Sequence, residues 1–437
     1  MTRSLPAELL YKDRNCLYIC KYMKEKIRTD TFGLSVQPIP IVRIGLIGLG
    51  SRGIKTLKRY VIFDKVEIRA LCDLSRDSLD EAQTILKSCN RQPAETFQGI
   101  DGWKRLCEKK DLDLVLICTD WLSHASMAVY AMNQGKHVAV EVPAAMTVKE
   151  CWQLVDTAEA TRRHCMMLEN CCYDTFTLCT LEMVRKGLFG EIMHAEGAYI
   201  HDLREQCFNS KCGNSWELNY YKEHTGNPYP THGVGPACKL LGIHQSDRMV
   251  RMVSMSSVPQ GSLLHAVDSL GENLSGRQET YKLGDMSTSL IMTERGKTIM
   301  LQHCVTLPRQ YSRIQSLSGT KGYACKYPVP IISFDNNSPS IIEGAELKEL
   351  LDTYQPEWMK RYDEDAVNLG VTNLMNYRMD RRLIEALQKG FPLDMDVYDA
   401  AEWSCLVELT EQSVLGGNIP VDIPDFSRNT KSKEKSI

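Results

Sequence analysis

The stretch that decides the fold runs Ile41-Val-Arg-Ile-Gly-Leu-Ile-Gly48-Leu-Gly50-Ser-Arg-Gly53. Its first half is apolar and rich in β-branched residues, as is typical of a strand that is buried on both faces. Apolar residues at helical spacing follow at Ile54, Leu57 and Val61. The segment therefore predicts a strand, a glycine-rich turn and a helix, which together form the first half of a βαβ unit.

Each of the three glycines at the end of this stretch has a separate role. Gly48 allows a tight turn, Gly50 leaves room for a pyrophosphate against the backbone, and Gly53 lets the helix pack closely on the strand. Asp73 ends the next predicted strand, where a carboxylate can accept hydrogen bonds from both ribose hydroxyls and repel a 2′-phosphate. The pattern predicts an NAD site rather than an NADP site. The alternative is a turn that merely requires glycine.

The hydrophobic pattern changes character along the chain. Predicted strands alternate with helices up to about residue 170, which indicates an α/β doubly wound parallel sheet of the Rossmann type. Short alternating runs then predict a C-terminal α+β domain with a largely antiparallel sheet, and helical periodicity returns later. The runs are residues 192–200, 248–256, 281–292, 298–305 and 313–318, with helices predicted over 371–388 and 398–415.

These patterns divide the chain into four parts. We predict an N-terminal extension over residues 1–40, an NAD-binding Rossmann domain over 41–170 and a substrate-binding α+β domain over 171–425. The Lys- and Ser-rich end, residues 426–437, is expected to be a disordered tail.

Composition excludes several classes of protein. The 437 residues are 43% hydrophobic and 24% charged, as in ordinary globular proteins, and their net charge is −3. This near balance gives no basic field for a nucleic-acid partner. No apolar run is long enough for a membrane span, and the short apolar stretch at residues 16–20 does not resemble a signal peptide. We expect a cytoplasmic protein.

The cysteines and histidines predict no metal site. The 17 cysteines include no Cys-x-x-Cys pair, and their spacing is irregular. Zinc sites and disulfide frameworks have regular spacings, so free thiols in a reducing compartment are the simpler interpretation.

Polar and aromatic residues follow several of the predicted parallel strands. The carboxyl ends of such strands meet at one edge of the sheet, where ligands bind. Each residue also has an ordinary structural explanation: His124 can start a helix, Glu141 can cap a loop, and Tyr173 can pack in the core. The residues at this edge are Trp121, His124, Glu141, Asn170 and Tyr173.

A second candidate site lies far along the chain. Tyr229, Pro230, Thr231 and His232 follow a stretch that is rich in glycine, proline and asparagine. Polar and aromatic groups in one rigid loop suit a sugar, whereas an ordinary turn with a surface histidine is the alternative.

Longer motifs resemble glycoside hydrolase family 109, whose members include NAD-dependent α-N-acetylgalactosaminidases. The likeness covers residues 38–425 and lies within the wider glucose-fructose oxidoreductase and inositol dehydrogenase-like proteins. Those oxidoreductases usually carry Glu-Lys-Pro where this chain has Glu141-Val142-Pro143, which disfavours an ordinary sugar dehydrogenase. The motifs are Glu141-Val-Pro-Ala-Ala-Met-Thr, His164-Cys-Met-Met-Leu-Glu-Asn-Cys-Cys-Tyr173 and Tyr229-Pro-Thr-His-Gly-Val-Gly-Pro236.

The resemblance implies roles for individual positions. Tyr173 and His232 match residues proposed for proton transfer, and Glu141 is implied to assist the leaving group. The family tends to carry arginine where Glu217 stands, so the substrate preference is open. Sugar-contacting positions are Tyr199, Tyr229, Pro230, Thr231, His232 and Tyr311; cofactor-contacting positions, besides Gly48, Gly50, Gly53 and Asp73, are Ser51, Arg52, Trp121, His124, Glu141, Val142 and Asn170.

The resemblance also implies a reaction. A glycosidase would hydrolyse terminal α-linked N-acetylgalactosamine through transient oxidation at C3, elimination, addition of water and re-reduction with tightly bound NAD. The partner would be a small glycoside or a glycan terminus, and a homodimer through the C-terminal sheet is possible. The alternatives are an NAD-dependent sugar or polyol dehydrogenase and a non-catalytic sugar sensor that retains NAD.

Overall fold

The structure is a computed structural model and describes residues 30–208, 215–270, 281–335 and 340–428. Its first sheet contains six strands, and every adjacent pair is parallel. The strands are β1 (Val42–Ile47), β2 (Val66–Asp73), β3 (Glu95–Gln98), β4 (Leu114–Ile117), β5 (His137–Val140) and β6 (Cys165–Met167). Their order, β3-β2-β1-β4-β5-β6, confirms the predicted doubly wound sheet.

Helices connect these strands and bury both faces of the sheet. All four residues of β4 and of β5 are buried, which explains why their sequences are continuously apolar. The strand order reverses between β1 and β4, and the diverging connections leave a crevice at the carboxyl ends of the strands. The helices are α1 (Ser51–Tyr60), α2 (Arg76–Ser88), α3 (Gly102–Glu108), α4 (Trp121–Asn133) and α5 (Val148–Thr161).

The second sheet has nine strands among the described residues. They are β7 (Ile192–Ile200), β8 (Met249–Ser256), β9 (Ser287–Thr293), β10 (Thr298–Cys304), β11 (Ser316–Gly319), β12 (Gly322–Cys325), β13 (Ile331–Phe334), β14 (Ile341–Ile342) and β15 (Val421–Asp422). The order is β14-β13-β12-β11-β7-β10-β9-β8-β15. Only the central pair, β7 with β10, is parallel, so the prediction of a largely antiparallel sheet is confirmed.

Two strand boundaries predicted from sequence were wrong. β9 begins at Ser287 rather than at residue 281, because Asp285 turns away to accept hydrogen bonds from the Gly261 and Ser262 N–H groups. β11 begins at Ser316 rather than at residue 313, because Ile314 and Gln315 have positive φ angles that interrupt an extended chain.

A 3₁₀ turn (Asn170–Tyr173) leads into the helices of the second part. The helical periodicity predicted near the C-terminus is confirmed, although the second predicted helix divides at Cys405. The helices are α6 (Thr175–Arg185), α7 (Arg204–Phe208), α8 (Ser215–Glu223), α9 (Thr231–Leu241), α10 (Gln260–Leu270), α11 (Gly344–Thr353), α12 (Glu357–Asn368), α13 (Leu374–Lys389), α14 (Val397–Ser404) and α15 (Leu406–Leu415).

The last two helices complete the first domain. The Ala144 N–H donates to Ser404 Oγ at 3.1 Å, and the Val148 N–H donates to Glu408 Oε2 at 2.6 Å. Residues late in the chain therefore satisfy backbone groups at the edge of the parallel sheet.

Both described ends of the chain are also packed. The Val36 and Ile39 N–H groups donate to the carbonyls of Gly390 and Leu387, at 3.2 and 2.9 Å. At the other end Phe426 is 1% exposed and packs against Trp152, so packed structure continues two residues beyond the predicted start of a disordered tail. Residues 429–437 and 1–29 lie outside the described residues. No helix in the described ranges is long and apolar enough to cross a membrane.

Candidate active site

The glycine turn between β1 and α1 has the geometry of a phosphate cradle. Gly48 has a φ of +85°, and a Cβ there would lie 2.6 Å from the Cys118 carbonyl oxygen. A Cβ on Gly53 would lie 1.9 Å from the Gly48 carbonyl oxygen, so helix and strand require glycine at that contact. A Cβ on Gly50 would meet no atom within 4 Å. The turn thus leaves open space beside Gly50, where the N-terminus of α1 points its free N–H groups.

Asp73 lies beside this turn, at the end of β2. Its carboxylate accepts hydrogen bonds from the Leu49 N–H at 2.6 Å and from the Ser75 N–H at 2.7 Å. The carboxylate therefore has a fixed position at the rim of the crevice. A fixed anion there suits unphosphorylated ribose hydroxyls and repels a 2′-phosphate.

The crevice is a cavity of about 690 Å³. Residues of both domains line it, because Trp216 and Glu217 of α8 are among its lining residues. Gly48, Gly50, Ser51, Arg52 and Asp73 are among its lining residues, as the sequence predicted for a nucleotide site. The open space, the helix N-terminus and the fixed carboxylate of Asp73 fit NAD.

Glu141 and Arg52 form an ion pair next to the cavity. Glu141 Oε1 lies 3.6 Å from Arg52 Nε, and Glu141 is only 8% exposed at the end of β5. The negative charge of Glu141 raises the pKa of Arg52. The ion pair with Arg52 fixes the Glu141 carboxylate between the glycine turn and the second domain.

His124, Val142 and Asn170 follow β4, β5 and β6 at the carboxyl ends of these strands. The His124 ring nitrogens lie 2.8 and 3.1 Å from the carbonyl oxygens of Pro143 and Thr119, and burial lowers the pKa of His124. The side chain thus ties the ends of β4 and β5 together. Val142 is buried, and the Asn170 amide donates to Asn376 at 2.6 Å. Contacts of these three residues with the cofactor remain predictions.

A wall of aromatic rings joins the two predicted sites. Trp121, at the start of α4, packs against Trp216 and Tyr229, with ring centroids 4.9 and 5.7 Å apart. Tyr199 packs against Tyr229 at 4.8 Å and against His232 at 5.3 Å. The residues predicted from distant parts of the sequence therefore lie side by side.

A close contact between Gly197 and Gly233 positions His232 beside the aromatic wall. A Cβ on Gly197 of β7 would lie 2.2 Å from the Gly233 carbonyl oxygen, so α9 rests directly on the strand. Pro230 and Thr231 are buried at the start of α9 and fix the preceding turn. Tyr311 is farther out and reaches Tyr199 through His201, whose Nδ1 lies 3.1 Å from the Tyr199 hydroxyl.

Glu169, which sequence analysis did not select, holds His232 in place. His232 Nδ1 lies 2.7 Å from Glu169 Oε1, and Glu169 is 0% exposed. Burial acts to lower the pKa of His232, but the neighbouring Cys171 and Glu169 together raise it to about 10. The sequence could have indicated Glu169, because it is an acidic residue that directly follows a buried parallel strand.

Tyr173 has surroundings that oppose its predicted part in proton transfer. Its hydroxyl donates to Asp394 Oδ2 at 3.1 Å, and the residue is only 3% exposed. Burial and the charge of Asp394 raise the pKa of Tyr173, whereas a tyrosine base needs a lowered pKa. Tyr173 also packs between the 3₁₀ turn and the second domain. Its part in proton transfer stays a prediction.

Comparisons with known structures identify the fold. The chain has the fold of two-domain sugar and polyol dehydrogenases. It is similar to levoglucosan dehydrogenase in complex with NADH and L-sorbose (TM-score 0.67, 17% identity, 88% of this chain and 100% of that chain). It is also similar to scyllo-inositol dehydrogenase from Lactobacillus casei (TM-score 0.62, 13% identity, 88% and 99%). Residues 42–169 match the oxidoreductase family with an NAD-binding Rossmann fold, so the first domain is an NAD-binding domain.

The particular family follows from the rest of the chain. Residues 173–433 match the C-terminal domain of glycosyl hydrolase 109. An alpha-N-acetylgalactosaminidase from Bacteroides fragilis is 54% identical over 94% of this chain and 98% of its own length. A glycosyl hydrolase family 109 protein from Phocaeicola vulgatus is 50% identical over 92% and 98%. The chain belongs to glycoside hydrolase family 109 and is an NAD-binding glycosidase.

Proposed function

We propose that this enzyme hydrolyses terminal α-linked N-acetylgalactosamine with NAD that stays bound through the catalytic cycle. The observation that carries the proposal is the position of His232 and the aromatic wall immediately beside the nucleotide crevice. A sugar bound against the aromatic wall would lie within reach of both His232 and the nucleotide. The activity named for the Bacteroides fragilis relative supports the choice of sugar.

The cofactor residues hold and orient NAD. The backbone around Gly50 would receive the pyrophosphate, and Asp73 would bind the adenosine ribose. When bound, NAD supplies reversible hydride transfer at C3 of the sugar. Glu141 lies on the opposite side of the crevice from Asp73, with its carboxylate fixed by Arg52. We infer that Glu141 orients the nicotinamide end or the leaving group.

His232 would move the proton at the sugar. Its Nδ1 is occupied by Glu169, so Nε2 remains for a sugar hydroxyl. Because the pKa of His232 is raised to about 10, the ring holds both protons at neutral pH and would act as a proton donor. Glu169 fixes the ring orientation and stabilises the imidazolium when the ring carries two protons. A ketone at C3 makes the proton on C2 acidic, and loss of that proton expels the aglycone from C1. Water then adds at C1.

The aromatic wall would orient the sugar for these steps. The faces of Tyr199, Tyr229 and Trp121 can cover the apolar C–H face of a pyranose ring while their polar atoms bind hydroxyls. Tyr199 is held from the far side by His201. Because the wall belongs to both domains, it excludes water where the reaction occurs.

One assay separates this function from its alternatives. The purified protein is incubated with an aryl α-N-acetylgalactosaminide and no added cofactor. Release of the aryl alcohol without accumulation of NADH supports the glycosidase, whereas NADH accumulation from a free sugar with added NAD supports the dehydrogenase. Retained nucleotide with neither activity supports a sugar sensor. A substrate without a hydroxyl at C3 must not be cleaved; equal cleavage contradicts the C3 mechanism.

We also propose that two copies associate through the open face of the C-terminal sheet. Leu290 of β9 is 53% exposed on that face, and its neighbours across the sheet are Val253 and Met300. Met292 adds a further exposed apolar side chain at 52%. Such a patch favours a protein partner. The L290E and M292E variants should shift a dimer to a monomer in light scattering; an unchanged mass contradicts the proposal.

The cysteines support a reducing cytoplasmic compartment. All 14 cysteines among the described residues are free, and only Cys89 is exposed. We propose a cytoplasmic location on this ground. Fractionation of cells that produce the tagged protein tests it, and recovery from the periplasm contradicts it.

A further inference from the structure

Three side chains with different metal-binding atoms meet beside the aromatic wall. Glu169 and Cys171 flank the start of the 3₁₀ turn, and His232 lies in the first turn of α9. Their carboxylate, thiol and imidazole ligand atoms all lie within 4.8 Å of one another. Glu169 is 0% exposed and Cys171 is 1% exposed.

We propose that Glu169, Cys171 and His232 form an inhibitory site for a thiophilic divalent cation such as Zn²⁺. Sulfur, nitrogen and oxygen atoms are the three ligand types of zinc in proteins, and three protein ligands leave a fourth position for water or a sugar hydroxyl. The inhibitory part of this inference rests on the proposed function of His232. The binding part does not.

The geometry requires little rearrangement. Tetrahedral zinc, with bonds of about 2.0–2.3 Å, places its ligand atoms roughly 3.3–3.8 Å apart. His232 Nδ1 and Glu169 Oε1, now 2.7 Å apart, would separate by about 1 Å, or the ring would use Nε2. The Cys171 N–H donates to Glu169 Oε1 at 3.0 Å, so two of the ligands are already held together.

Cys171 determines which cations the site accepts. Its thiol lies next to His232, and it also makes a weak contact with Asn170 Oδ1 at 3.5 Å. Thiolate ligands favour zinc and cadmium, whereas carboxylates alone suit magnesium and calcium. We therefore expect the site to discriminate against Mg²⁺.

Binding of the cation would stop the reaction without displacing the nucleotide. A metal on Nε2 would occupy the atom that moves the proton at the sugar, and a metal on Nδ1 would break the contact with Glu169 that orients the ring. The residues that cradle NAD, Gly50 and Asp73 among them, belong to other elements. Zn²⁺ should therefore reduce turnover while NAD stays bound.

The first experiment measures binding directly on the full-length protein with its retained nucleotide. Zn²⁺ is titrated calorimetrically, and Co²⁺ is followed by the near-ultraviolet absorption of a thiolate–cobalt bond. The wild type should bind one equivalent with this band. C171S and C171V should lose it and bind Zn²⁺ at least about 100-fold more weakly, because one of three ligands is gone. C171V keeps an apolar side chain at this buried position in case serine impairs folding.

The matched control is C179S, which changes another fully buried cysteine one helix away. It should bind both metals like the wild type. Equal Zn²⁺ binding by C171V and wild type, or the absence of a thiolate–cobalt band in the wild type, overturns the site.

The second experiment measures aryl α-N-acetylgalactosaminide hydrolysis in the presence of Zn²⁺ or Mg²⁺. Zn²⁺ should inhibit the wild type and C179S, and a chelator should restore activity, whereas Mg²⁺ should have no effect. If the protein binds Zn²⁺ and gives the thiolate–cobalt band, but Zn²⁺ does not inhibit hydrolysis, the inhibitory role is wrong. If the protein cleaves no glycoside, the proposed function fails, and the binding experiment still decides whether the site exists.

Discussion

His232 and Glu169 are 63 positions apart in the chain, yet they form a buried pair in which Nδ1 lies 2.7 Å from Oε1. The carboxylate is 0% exposed at the end of a parallel strand, and the imidazole faces the aromatic wall. The pair connects the two domains at the place where the sugar would bind. A second buried pair, His244 with Glu402, lies outside the cavity and has similar chemistry.

Replacement of Glu169 should separate activity from stability. E169Q should lower kcat by about 10²–10³-fold, because the imidazole loses the group that orients it and stabilises its charge. Steady-state hydrolysis of an aryl glycoside measures the effect. The matched control is E402Q, which breaks the buried pair with His244 and should cost about 3–5 kcal/mol of unfolding free energy with kcat nearly unchanged. An equal loss of kcat in both variants would contradict the assigned role of Glu169.

Two glycine substitutions should affect different properties, one nucleotide binding and the other thermal stability. G50A should fold normally and lose nucleotide, because the added methyl group meets no protein atom but projects into the space for the pyrophosphate. G53A should lower thermal stability, by about 1–3 kcal/mol or more, because its methyl group would overlap the Gly48 carbonyl. Differential scanning calorimetry and native mass spectrometry measure the two properties. Retention of NAD by G50A at the wild-type level would show that the pyrophosphate lies elsewhere.

Tyr173 should be important for packing rather than for chemistry. In Y173F the hydroxyl that donates to Asp394 is lost, at a cost of about 1 kcal/mol in stability, and exchange of the sugar C2 proton with solvent should continue. H232Q should abolish that exchange. Nuclear magnetic resonance in deuterated water measures it. Loss of exchange in Y173F, with the fold intact, would confirm the predicted part of Tyr173 in proton transfer.

The pair His244–Glu402 should make stability depend on pH above neutrality. Burial acts to lower the pKa of His244, but Glu402 raises it to about 9. Because the folded pKa exceeds the unfolded value of about 6.5, the stabilisation is complete below pH 6.5 and is lost as the pH rises through 9. The loss should be of the order of 3 kcal/mol. Chemical unfolding between pH 6 and 10 measures it; H244Q should have a flatter profile, and an equally steep one would implicate another group.

The nucleotide site could be predicted from sequence because its signals are local. Gly48, Gly50 and Gly53 follow one strand directly, and Asp73 ends the next, so spacing alone places them together. The alternation of strands and helices likewise specified the first sheet. The short strands β12 to β15 could not be predicted, because two to four residues give no detectable alternation.

The proton-transfer residues could be predicted only in part. His232 was selected through its loop and the family resemblance, whereas Glu169 was not selected although it follows a buried parallel strand. The pairing of Glu169 with His232 depends on the close contact of Gly197 with Gly233, which brings together elements that are distant in sequence. The hydrogen bond from Tyr173 to Asp394 could not be predicted either, because the two residues are 221 positions apart.

The hydrogen bonds from Ala144 to Ser404 and from Val148 to Glu408 have a consequence for biosynthesis. A ribosome that has released the first 170 residues has not yet made the helices that satisfy those amides. Until nearly the whole polypeptide has emerged, those two amides lack the partners that they have in the folded protein. A gene divided between the domains should yield a stable enzyme only when both fragments are synthesised in the same cell.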